Sequence, residues 1–238
     1  MITLISITTI ISGTAFLLSG LYIFLTWRKK KEFLLQVLTI FLLTMGMQMI
    51  FLTLGLAVFF DNYLMSNISW WIAHIFLIVA MSNLVILPIR LKFPNKEKLV
   101  KKISILYLVI GGLILLFNLS NVELFRAPEN IINWRVPGLS IAVIVGAAAL
   151  GMLFPVYVFI RESFKIKDRL IKLRSIFLGL GILAFFIGGP MHNAVTNKVM
   201  ATVAASLSIL GVLFILVGIY IPMLLKRSPR ENFSKTEF

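Results

Sequence analysis

The sequence predicts an all-α integral membrane protein: a seven-transmembrane-helix bundle with its N-terminus outside and its C-terminus in the cytoplasm. Three observations carry that prediction. The 238 residues are 60% hydrophobic and only 13% charged, whereas soluble domains run at roughly 45–50% and about 25%. Seven apolar stretches each reach the roughly 17–25 residues a helix needs to cross the hydrocarbon. Of the 23 Lys and Arg, 20 fall in four segments: 28–31, 90–102, 161–174 and the tail from Lys226. A seven-span count puts all four on one side, as the positive-inside rule requires.

Taken in order, the spans are 3–27, 33–60, 66–89, 103–119, 137–160, 175–195 and 200–225. The first has no basic leader and no small-residue cleavage site, so it is expected to be a retained helix and not a signal peptide. The Arg28-Lys29-Lys30-Lys31 run that follows it faces inward. Alternation then places Asp61-Asn62 outside, Arg90–Lys102 inside, Asn121–Arg135 outside, Arg161–Arg174 inside and Asn193–Lys198 outside. Six or eight spans break this agreement. The outer loop 121–135 carries Phe125, Ile131, Ile132 and Trp134, and is expected to lie on the membrane surface or over the mouth of the bundle. The inner segment Glu162–Arg174 mixes apolar residues with five positive charges. It is expected to extend the fifth helix or form an amphipathic interfacial helix near anionic headgroups. Residues 1–226 thus form one transmembrane domain, and 227–238 a short cytoplasmic tail.

The net charge of +14 does not make this a nucleic-acid binder, because it resides in short loops between spans and not on a folded basic face. The expected partner is the lipid bilayer, with localisation to the plasma or cytoplasmic membrane as a multi-pass protein. A signalling role calls for a separate membrane or cytoplasmic protein partner, since the tail is too short for an output domain.

Spans 1–3 and 5–7 share an internal pattern. Gly13 and Arg28 match Gly146 and Arg161, with Ala15/Ala148 and Leu17/Leu150 between them. Ile40-Phe41-Leu42 matches Ile176-Phe177-Leu178, and Pro88 with Lys92 matches Pro222 with Lys226, at offsets of 133 to 136. With the helix count and orientation, this 3+1+3 parallel repeat resembles the SWEET-type sugar facilitators, and the resemblance implies passive passage of a small neutral solute. The count and orientation alone also resemble rhodopsins and heptahelical receptors. A retinal cofactor is not expected: Met200–Leu225 holds no lysine, and no carboxylate lies in any span to serve as counter-ion.

All nine acidic residues lie in loops, at span ends or in the tail, which argues against a proton or ion path. There are no cysteines and no Gly-x-Ser-x-Gly, His-Glu-x-x-His or phosphate-cradling glycine loop. Side-chain catalysis is not expected. A small polar set in the outer half remains. Both histidines, His74 and His192, fall in spans at similar depth. Asn67, Trp70, Trp71 and His74 share one helix face, with Asn83 on the opposite one. Gly188 and Gly189 precede His192 in Gly188-Gly189-Pro190-Met191-His192-Asn193. Three alternatives stand open. The histidines make interhelical hydrogen bonds and the glycines only pack. Or the set forms a pocket for a small or planar ligand, lined by Trp70, Asn67, Asn193, Asn83 and Gln48. Or His74 and His192 ligate a b-type haem, with Gly188, Gly189 and Trp71 around the macrocycle and Arg126 and Arg135 at its propionates, in a membrane subunit of a redox assembly. A zinc site lacks a third ligand.

Overall fold

The structure, a computed structural model, describes residues 4–93, 95–117, 122–127, 131–135, 138–193 and 197–225. Within them run α1 (Leu4–Lys30), α2 (Phe33–Thr53), a π-helical turn (Leu54–Val58), α3 (Tyr63–Lys92) and α4 (Glu97–Phe117). Then come strands β1 (Glu123–Ala127) and β2 (Ile131–Arg135), followed by α5 (Gly138–Ser163), α6 (Arg169–Asn193) and α7 (Lys198–Leu225). Among the described residues, six helices are long and apolar enough to cross a bilayer, as a multi-pass membrane bundle requires.

The placement of polarity shows which solvent the bundle is built for. On α1, Thr8, Thr9, Ser12 and Ser19 are buried, while Ile11, Leu18 and Leu25 are more than half exposed. Water favours the reverse arrangement. Lipid tails are as apolar as leucine, so large side chains gain little by hiding and small residues take the helix contacts. Glycines face one another across two helix pairs. A Cβ on Gly46 of α2 would lie 2.6 Å from Leu17 Cγ and 3.0 Å from Gly13 O on α1. A Cβ on Gly181 or Gly211 would lie 2.7 Å from a backbone nitrogen of the facing helix, across α6 and α7.

The bundle is helical as expected, with one short strand pair added before α5, and one expectation, for the segment 162–174, is corrected. Glu123–Ala127 and Ile131–Arg135 pair antiparallel, Glu123 opposite Arg135 and Ala127 opposite Ile131. The aromatic and β-branched residues there suit a pleated ribbon. The inner segment Glu162–Arg174 forms no separate interfacial helix. α5 ends at Ser163, and α6 starts afresh at Arg169, where Asp168 Oδ1 accepts from Leu170 N at 2.8 Å and Ile171 N at 3.1 Å. Asp168 is thus an N-cap that satisfies the orphan donors of a new helix.

The main core joins Phe16, Phe41, Met45, Met81, Ile182, Phe185 and Ile215 through the middle of the bundle. A second cluster gathers Ile5, Leu56, Trp70, Trp134, Ala201 and Ala204 at the end away from the basic segments. The hairpin is tied to that end by Tyr63 Oη and Asn67 Nδ2, which both donate to Val122 O, at 3.0 and 3.1 Å.

Candidate functional site

A cavity of about 120 Å³ lies between the helices, on the side of the bundle away from the basic segments. The floor is apolar, with Met49, Leu77, Met152 and Phe185. α1 contributes Thr8, Thr9 and Ser12, one face at spacings of three and four. α2 brings Gln48, α3 brings Trp70 and His74, α6 brings Gly189 and Pro190, and α7 brings Ser208. Trp134 reaches in from β2.

The π-helical turn shapes the outer edge. Its wide ring is closed by Phe59 N donating to Leu54 O at 2.9 Å, five residues back. The Gly55 carbonyl there accepts from Ser66 Oγ at 3.1 Å. Glycine is required because the Trp134 ring occupies the place of a side chain: a Cβ would lie 2.5 Å from Trp134 Cζ2. Trp134 is almost fully buried.

His74 is fixed by its own helix. Its Nδ1 lies 2.8 Å from Trp70 O, and its ring stacks on Trp70 with centroids 3.8 Å apart and planes 27° from parallel. A carbonyl only accepts, so Nδ1 carries the proton and Nε2 of the neutral ring is left as an acceptor. Gln48 is buried, and its amide forms no hydrogen bond among the described residues; Oε1 is fully enclosed. Ser12 is buried as well and lines the same cavity. By contrast, Thr8 and Thr9 return their protons to Ile5 O, both at 2.9 Å, and Thr9 Oγ1 also meets Thr53 Oγ1 at 2.8 Å. Among the described residues, no Asp, Glu, Lys or Arg lines the cavity.

The expected site residues divide as follows. His74, Trp70, Gln48 and Gly189 line one cavity. Gly188 does not open it: a Cβ there would lie 2.6 Å from Ser208 Oγ and 2.9 Å from Ser208 N, so this glycine packs α6 on α7. Gly189 has nothing within 4 Å of a Cβ. Trp71 stands beside Trp70, edge to face at 6.3 Å, outside the lining. Asn67 is used on Val122 O, and Asn83 donates from Nδ2 to Val79 O within α3 at 2.8 Å. His192 and Asn193 end α6, and their side chains, like those of Arg126 and Arg135, lie outside the described residues.

Sequence reasoning missed Thr8, Thr9, Ser12, Met152, Ser208 and Trp134. The first three carry a legible signal, the periodic polar stripe on an otherwise lipid-facing helix.

The cavity does not fit a haem. At about 120 Å³ it is below the roughly 150 Å³ of an engineered apolar cavity that takes up benzene, and a porphyrin is several times larger than benzene. The chain matches no protein-family model, and no curated protein is significantly similar to it.

Proposed function

We propose that this chain is a seven-pass membrane protein, N-terminus outside and C-terminus cytoplasmic. It binds a small neutral ligand in the cavity of its outer half and acts as a sensor or receptor-like module. The observation that carries the binding proposal is Gln48 Oε1, buried in the cavity wall without a partner among the described residues. An unmet amide in an apolar medium costs about 1–3 kcal/mol. A ligand that offers both a donor and an acceptor recovers that cost, with Ser12 and His74 Nε2 as further contacts. The described lining residues bear no charge, so an ionised ligand meets no counter-charge among them. The size suits about six heavy atoms, a primary amide or a short polyol in scale.

Passive facilitation is the weaker alternative. Met45, Leu84, Val156 and Ile182 lie along their helices between this cavity and the basic end, and all belong to the buried core. Passage requires that layer to part. The 3+1+3 repeat lends no support either: it maps α1–α2 onto α5–α6, whereas the glycine-to-glycine seams join α1–α2 and α6–α7.

Tryptophan emission tests the binding proposal, because Trp70 and Trp134 line the cavity. Acetamide and glycerol are expected to change emission saturably, with acetate at least tenfold weaker and Gln48→Leu unresponsive. Equal responses in wild type and Gln48→Leu reject the site. The absence of cysteine makes orientation testable with single introduced thiols. A membrane-impermeant maleimide is expected to label Asp61→Cys in intact cells, and Lys167→Cys only after permeabilisation.

A further inference from the structure

A second cavity of about 670 Å³ opens at the opposite, basic end, between α2, α3, α5 and α6. Leu38, Leu87, Phe154, Phe159 and Leu178 give it apolar walls. Arg161, Lys165 and Arg174 stand among its lining residues against a single acid, Glu162. Two of these cations have partners. Lys165 pairs with Glu162 at 2.9 Å, and Arg161 donates to Tyr157 Oη at 2.8 Å. Arg174 is half-buried and makes no ion pair or side-chain hydrogen bond among the described residues. Glu32 attracts it through space but closes no bridge with it. A guanidinium presents five N–H donors in a fork that suits phosphate, and drawing it partly out of water without an anion is unfavourable.

We propose that this groove binds an anionic phospholipid from the leaflet at the basic end, with the phosphate at Arg174 and an acyl chain along the apolar wall. Three considerations select this occupant. The volume far exceeds inorganic phosphate, and most of the wall has nothing to offer a free anion. Basic pockets between transmembrane helices are suited to acidic headgroups, and the leaflet that positive segments face is the one rich in them. The chain's own tail has the wrong sign, with Lys226, Arg227, Arg230 and Lys235 against Glu231 and Glu237. This site shares no lining residue with the outer cavity, so it stands or falls independently of the ligand proposed there.

The test uses the full chain, stripped of lipid in a neutral detergent, with thermal unfolding followed during lipid titration. Dioleoyl phosphatidylglycerol is expected to raise the midpoint at concentrations where dioleoyl phosphatidylcholine does not, and inorganic phosphate alone is expected to leave it unchanged. Arg174→Gln should weaken the phosphatidylglycerol response by roughly fivefold or more. Val158→Trp, which fills the groove without altering charge, should abolish it. Equal responses to the two lipids, or a phosphatidylglycerol response unchanged in both variants, overturn the proposal. So does a full shift with phosphate alone, or a tenfold gain in lipid affinity on deleting residues 226–238, which marks the tail as the occupant. If neither variant folds, native mass spectrometry of the wild type from mixed lipid decides: preferential retention of phosphatidylglycerol supports the site, and equal retention of both lipids rejects it.

Discussion

Replacing Gln48 by leucine should make the empty protein more stable. The two side chains are close in volume, so the cavity wall is kept, while the enclosed Oε1, without a partner among the described residues, is removed. Releasing an unmet amide from an apolar site is worth about 1–3 kcal/mol. Allowing for imperfect repacking of a branched side chain, the net gain is about 1–2 kcal/mol. For a chain of this length each kcal/mol moves the unfolding midpoint by roughly 2–4 °C, so a rise of about 2–8 °C is expected in detergent without ligand. Gln48→Ala should fall instead, because it enlarges the cavity. With saturating acetamide the order should invert, since a ligand stabilises only the form that binds it. A Gln48→Leu midpoint several degrees below wild type in the absence of ligand refutes the reasoning, because the amide must then have had a partner to lose.

Three further outcomes follow from contacts already described. Gly211→Ala should lower stability by about 1–3 kcal/mol through overpacking, as its methyl meets backbone on α6 at 2.7 Å. Gly112→Ala on α4, with open space around it, should gain up to about 1 kcal/mol in helix propensity, and equal melting of the two variants contradicts the seam. Gly55→Ala should dislodge Trp134, seen as a red shift of emission and stronger acrylamide quenching; an unaltered spectrum shows that the ring does not sit there. Asn67→Ala removes one of the two donors to Val122 O. Losing a bond of about 1 kcal/mol should speed amide exchange in Glu123–Ala127 roughly fivefold, and unchanged protection shows that Tyr63 alone suffices.

The helices were legible because two independent signals agree on them, the apolar length and the spacing of Lys and Arg. Their starts were not: the spans from 66 and 200 begin two to three residues inside α3 and α7, whose starts are set by capping side chains. Asn62 accepts from Met65 N at 3.1 Å and starts α3, and Asn197 accepts from Met200 N at 2.9 Å and starts α7. Asp168 does the same for α6 but sits inside a basic run, where the charge pattern drew attention away from the cap. The hairpin was missed because five-residue strands beside long apolar helices leave no periodic signature, although Trp134 was visible as an unusual residue in a loop.

For the site, His74, Trp70, Gln48 and Gly189 were found from chemistry, since polar groups within spans are few. Their assembly with α1 and α7 was not readable, because which helix faces which is set by glycine seams, and spacing along one helix carries no such information. Gly188 and Gly189 illustrate the limit. They are neighbours in sequence and 100° apart around a helix, so one is packed against Ser208 while the other faces open space.

The two glycine seams divide the bundle mechanically. Where backbones touch, no side-chain layer remains to slide, so α1 with α2 and α6 with α7 behave as stiff paired struts. α3 and α5 carry no such clamp on each other, yet they supply His74, Trp70 and Met152 to the smaller cavity and Leu87 and Phe159 to the groove at the basic end. α2 and α6 reach both cavities as well, so a shift of either strut against α3 and α5 alters the two cavities together.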